Sequence, residues 1–155
     1  MKNSTKLTFL SIIFNLIIAG IIIIWTFGFK ELIYSFTYLP LNLFVGICGL
    51  FFSGYYISIR MEKFIRTGKW NSILIGIIGL VLILFFGIMF GSTVGFIDEG
   101  IGDFDKQDGI KNALFDYYIK PLFWIFLMGI IPTVIVGGIL GYGIKKTMQS
   151  EFNIN

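Results

Sequence analysis

The sequence predicts an all-α integral membrane protein: a four-helix bundle with both termini on the cytoplasmic side. Three observations predict it. Four apolar runs are each long enough to cross a bilayer as a helix, which takes about 20 residues. The chain of 155 residues is 56% hydrophobic and 14% charged, whereas soluble domains run at about 45–50% and about 25%. The basic residues gather on one side of the implied topology, and in membrane proteins that side faces the cytoplasm.

The first run, residues 7–29 (LTFLSIIFNLIIAGIIIIWTFGF), contains no charge. Lys2 and Lys6 precede it, as basic residues precede a signal peptide. The run is far longer than a signal core of about 7–15 residues, and no A-x-A-like site follows, so an uncleaved span is expected. The second run covers about 39–59, the third about 73–95 and the fourth about 121–144. In hydrocarbon every backbone N–H and C=O must be satisfied within its own segment, so each run is expected to be helical. Pro121 suits the first turn of the fourth helix, where an N–H has no partner anyway. A single membrane domain, 1–155, accounts for the chain.

Four spans put the N-terminus, the 60–72 loop and the C-terminus on one side. That side holds Lys2, Lys6, Arg60, Lys63, Arg66, Lys69, Lys145 and Lys146, while the other holds Lys30, Lys106, Lys111 and Lys120. The excess of basic residues orients the chain N-in and C-in across the plasma membrane. The inner loop RMEKFIRTGKW alternates basic and apolar residues, charges that orientation alone explains; contact with anionic headgroups or with a cytoplasmic partner is the alternative. An outer aromatic belt is expected from Trp25, Tyr34, Tyr38, Phe96, Tyr117, Tyr118 and Trp124, and an inner one from Tyr55, Tyr56, Trp70 and Tyr142.

The outer loop, 96–120, is the one long polar stretch. Ile110, Leu114, Tyr117 and Tyr118 recur at helical spacing, which predicts a short amphipathic interfacial helix before the fourth span. Asp108 is its expected N-cap. The acidic residues Asp98, Glu99, Asp103, Asp105 and Asp108 invite a calcium reading, but the stretch fails the EF-hand pattern. Gln107 stands at position five, Gly109 comes one place late, and Leu114 stands where the closing glutamate belongs. The same acids serve as a solvated outer surface.

Inside the spans, Gly87, Gly91 and Gly95 repeat every four residues, as do Gly137 and Gly141. Small residues at this spacing let helices approach closely, either within the bundle or between chains. Asn15 lies mid-span and is expected to hydrogen-bond a neighbouring helix. Pro132 interrupts the fourth span and predicts a kink.

The chain has no histidine and one cysteine, Cys48, which excludes a disulfide within it and removes the commonest general base and metal ligand. No nucleophile–base arrangement, P-loop or dinucleotide fingerprint occurs. No catalytic residue, cofactor or metal site is therefore expected, and the charge pattern does not point to nucleic acid. No ionisable residue is expected inside a span, which argues against proton-coupled transport. The expected function is non-enzymatic, acting through helix–helix contacts as an accessory or regulatory subunit or an immunity-type protective protein. Its expected partners are the lipid bilayer and another membrane protein or a second copy. The alternative is a homo-oligomeric channel or facilitator using the Gly87/Gly91/Gly95 face. A membrane enzyme acting on lipid through Asp98, Glu99 and Asp103 is the remaining reading.

Overall fold

Helix α1 (Asn3–Phe27) opens the chain. The computed structural model describes residues 3–38, 40–98 and 109–152, and among them there is no strand. After α1 come α2 (Phe29–Tyr38), α3 (Pro40–Arg66), α4 (Ser72–Asp98), α5 (Gly109–Leu114) and α6 (Lys120–Phe152). Four helical stretches are long and apolar enough to cross a membrane: Asn3–Phe27, Leu41–Arg66, Ser72–Asp98 and Gly109–Ser150.

Gly28 ends α1. It sits at φ +92°, a conformation open to glycine because it has no Cβ, and its N–H donates to the Ile24 carbonyl at 2.9 Å. The chain then re-enters a helix at once. Residues 30–38 are thus not a plain connection, and the first span stops two residues before its expected end. Exposed Phe29, Ile33, Tyr34 and Phe36 on α2 give this short helix an apolar surface beside its charged start.

Helix α3 starts on a proline, whose missing N–H costs nothing in the first turn. It runs seven residues past the expected end at Ile59. The reason is its periodicity: Ser58, Met61, Glu62 and Ile65 continue one face at helical spacing, and all four are buried. The RMEKFIR stretch is therefore the last two turns of a packed helix, not a surface loop. Only 67–71 turn the chain. Thr67 and Gly68 donate their N–H groups to the Lys63 and Ile65 carbonyls, with Gly68 at φ +66°, a glycine-dependent helix stop. Asn71 then caps α4, its Oδ1 accepting from the Ile73 N–H at 2.9 Å.

Helix α4 is the central span. It packs along both α3 and α6, and 39% of its most apolar stretch is buried, against 11% for α1. α1 rests on α3 and α6, so α1 and α4 stand on opposite corners of the bundle. Glycines set the tightest contacts. A Cβ at Gly137 would lie 2.8 Å from Ile77 Cα, and one at Gly76 or Gly141 would collide with the backbone of the facing helix. The apolar core is Ile12, Met61, Ile65, Ile75, Leu80, Ile83, Val136, Leu140 and Ile144.

The segment before the fourth span is helical, but it is not a separate element. α5 passes through one π-helical turn, Phe115–Ile119, directly into α6. Leu114 and Lys120 on either side of that turn keep α-helical dihedrals. Pro121 therefore lies inside a continuous helix rather than at its start. The buried residues of α5 are Gly109 and Ala113, while Ile110 and Leu114, which the spacing placed on one apolar face, are exposed. Tyr118 donates from its hydroxyl to Thr93 Oγ1 at 3.2 Å and stacks obliquely on Phe96. The tyrosine side of the segment thus packs on the end of α4.

Candidate functional site

A partly open cavity of about 290 Å³ lies between the helices of the bundle. Its walls come from α1 (Ile12 to Phe27), α4 (Leu80, Ile83, Leu84) and α6 (Trp124 to Thr133), with Leu50 of α3. It opens because α1 and α4 occupy opposite corners and close up only at one end, where Ile12 joins the core. Beyond Ile12, α1 is lined inwardly by Asn15, Leu16, Ala19, Ile22 and Ile23, none of which fills the gap.

The walls are hydrocarbon except at one level. Asn15 stands there with its Oδ1 fully buried and without a hydrogen-bond partner among the described residues. The amide oxygen thus makes no bridge to a neighbouring helix. Thr133, itself buried, lines the same cavity. So do Met128 and Pro132. Pro132 has no N–H to give to the Met128 carbonyl four residues earlier, so that carbonyl loses its helical partner. α6 remains one helix through this point. At 1.5 Å per residue, Asn15 lies about 18 Å from the start of α1 and Pro132 about 18 Å from the start of α6. Both polar positions thus fall near the middle of their spans.

A second polar constellation occupies the end of the bundle where the start of α1 meets the end of α3. Ser4 donates to Glu62 Oε2 at 2.7 Å. Arg66 donates to Glu62 Oε1 from Nε at 3.1 Å and from its terminal nitrogen at 2.9 Å. Thr5 and Ser58 share a hydroxyl contact of 3.1 Å, and Thr8 donates to the Ser4 carbonyl at 2.9 Å. Ser4, Thr5, Thr8, Ser58 and Glu62 are all buried. Glu62 is a buried carboxylate within a candidate span, against the expectation that spans carry no ionisable group. The signal was present: Ser58, Glu62 and Arg66 recur every four residues, and Ser4 and Thr8 do likewise. The charges of 60–66 masked it by reading as loop.

The glycine positions lie between helices of this chain. Gly87 and Gly91 face Gly46 of α3, with a Cβ at Gly91 falling 3.0 Å from the Asn42 carbonyl oxygen. Gly95 meets the Asn42 amide and the Tyr117 ring, and Gly137 and Gly141 meet α4. The structure does not bring the glycines together with Asn15 or Pro132 in one site. Asp98 ends α4 and is exposed. Glu99, Asp103, Asp105 and Asp108 lie outside the described residues. Among the described residues no cluster of acidic or cysteine side chains has metal-binding proximity. Neither the family models, nor the curated proteins, nor the solved structures hold a match to this chain.

Proposed function

We propose that this chain is a small non-enzymatic membrane protein, inserted with both termini in the cytoplasm, that acts by helix–helix contact. It serves as an accessory or regulatory subunit of a membrane complex, or as a protective protein of the immunity type. The observation that supports this reading is the exposure of α1. Leu10, Phe14, Ile17, Ile21 and Ile24 follow one another at alternating steps of four and three residues, and all five side chains are exposed. That spacing is the seam geometry of paired helices. α1 is also the least buried of the four spans, so a partner helix meets little competition from its own bundle.

The channel reading draws on the Gly87, Gly91 and Gly95 face, and the proximity of that face to Gly46, Asn42 and Tyr117 favours the first reading over it. Photocrosslinking tests the proposal. A benzophenone side chain at Ile17, in membranes, should yield a discrete protein adduct, and one at Ile139 on the exposed side of α6 should not. Adducts to lipid alone from both positions, with a strict monomer on native gels, would overturn it. Conductance in liposomes for an ion or small solute would move the assignment to the channel.

A further inference from the structure

We infer that this partly open cavity is a binding site for an uncharged, elongated lipophilic molecule carrying one hydroxyl, of the long-chain alcohol class. This goes beyond partner contact, since the cavity is walled by Asn15, Ala19 and Ile22 of α1 and the seam is formed by Phe14, Ile17 and Ile21.

Size supports a ligand rather than a packing fault. The cavity is about 290 Å³, roughly twice the volume of about 150 Å³ that stays dry and takes up benzene in a soluble core. It stands at the lower edge of small-molecule pockets, about 300–1,000 Å³. Bundle cores with facing side chains are a recurrent place for such sites. The lining on α1 runs from Ile12 to Phe27, about 22 Å at 1.5 Å per residue. A space of that length and modest volume is narrow, which suits a single chain better than a ring system.

Chemistry then selects the head. No charged side chain lines the cavity, so an ion would enter unpaired at high cost. A plain hydrocarbon would leave the Asn15 amide unmatched, since its buried Oδ1 has no partner. An amide offers both acceptor and donors, and a hydroxyl is the smallest group that answers both at once. Thr133 and Met128 stand in the same walls, and Pro132 leaves the Met128 carbonyl without its helical N–H partner. Phe27 and Trp124, near the far ends of their spans, flank the other end of the cavity. The hydroxyl therefore sits at Asn15 depth, and the hydrocarbon extends toward Phe27 and Trp124.

The test uses the purified full chain in lipid nanodiscs and an eight-carbon alcohol bearing a diazirine. Light should attach the probe to cavity residues such as Ala19, Leu84 and Met128. Added 1-decanol should compete, and decane should compete far less. Asn15→Leu, which keeps the branched shape at somewhat greater volume and removes the amide, should weaken competition by 1-decanol relative to decane about 3- to 30-fold, the span of one intramembrane hydrogen bond. Ala19→Phe, which fills the cavity with Asn15 intact, should abolish labelling there. Should either variant fail to fold, the decanol–decane comparison on the unaltered chain still decides. Labelling confined to outward residues such as Phe14 and Ile131 would overturn the site. Equal competition by decane, or unchanged competition in Asn15→Leu, would overturn the hydroxyl-bearing ligand.

Discussion

Ser4 on α1 and Glu62 on α3 are 58 residues apart in sequence and joined by a 2.7 Å hydrogen bond in the buried end of the bundle. This contact, with the Thr5–Ser58 pair one turn away, fixes the least buried span at one end. Lipid offers no hydrophobic drive for one apolar helix to prefer another, so polar contacts and close packing must hold α1 in place.

Glu62→Leu should therefore loosen α1. The buried Ser4 hydroxyl would lose its acceptor, while Arg66, about half exposed, returns to solvent. A loss of about 1–3 kcal/mol is expected, read as a lower midpoint of thermal unfolding in detergent. Glu62→Gln retains an acceptor oxygen and should recover part of the loss. An unchanged midpoint for the leucine variant would show that the contact contributes nothing.

Glycine substitutions should divide sharply by position. At Gly137 an added Cβ meets Ile77 Cα at 2.8 Å, whereas at Gly20 nothing lies within 4 Å. Gly137→Ala should cost about 1–3 kcal/mol by forcing α4 and α6 apart. Gly20→Ala should be neutral or stabilise by up to about 1 kcal/mol through helix propensity. Equal effects on thermal unfolding would contradict the close approach of the two helices.

Asn15→Leu should raise the stability of the ligand-free protein. The side chain it replaces holds a buried oxygen without a partner, and removing such a group favours the folded state by about 0.5–2 kcal/mol. Unfolding in detergent measures this. A clear loss of stability would mean that the amide is satisfied in the folded protein.

Orientation is open to chemical labelling. In a Cys48→Ser background, a cysteine replacing Lys69 should be protected from an impermeant maleimide in intact cells, and one replacing Ile110 should react. The reverse pattern would invert the topology.

The four spans and their approximate centres were legible in the residues because hydrocarbon imposes a local rule. Each segment must be apolar, about 20 residues long and internally hydrogen-bonded, and these properties need no knowledge of the rest of the chain. Boundaries were less legible. The end of α3 has the composition of a loop because Arg60, Glu62, Lys63 and Arg66 are charged, yet Met61, Glu62 and Ile65 are buried on a continuing helix. The break at Gly28 carries no signature in the sequence because glycine is common within these spans, and only φ shows which one turns the chain.

Asn15 and Pro132 stood out in the sequence as a polar residue and a helix breaker in otherwise uniform spans. That they line one cavity did not, since their spans are distant in sequence and meet only through the placing of α1. The sequence by itself determined the solvent, the helical state and the number of crossings, because those follow from composition over windows of one span. Tertiary structure alone decided which glycines meet, that Glu62 is buried against Ser4, and that a space remains between α1 and α4. Those outcomes depend on how whole helices pack, and periodicity within a single helix carries no record of its neighbour.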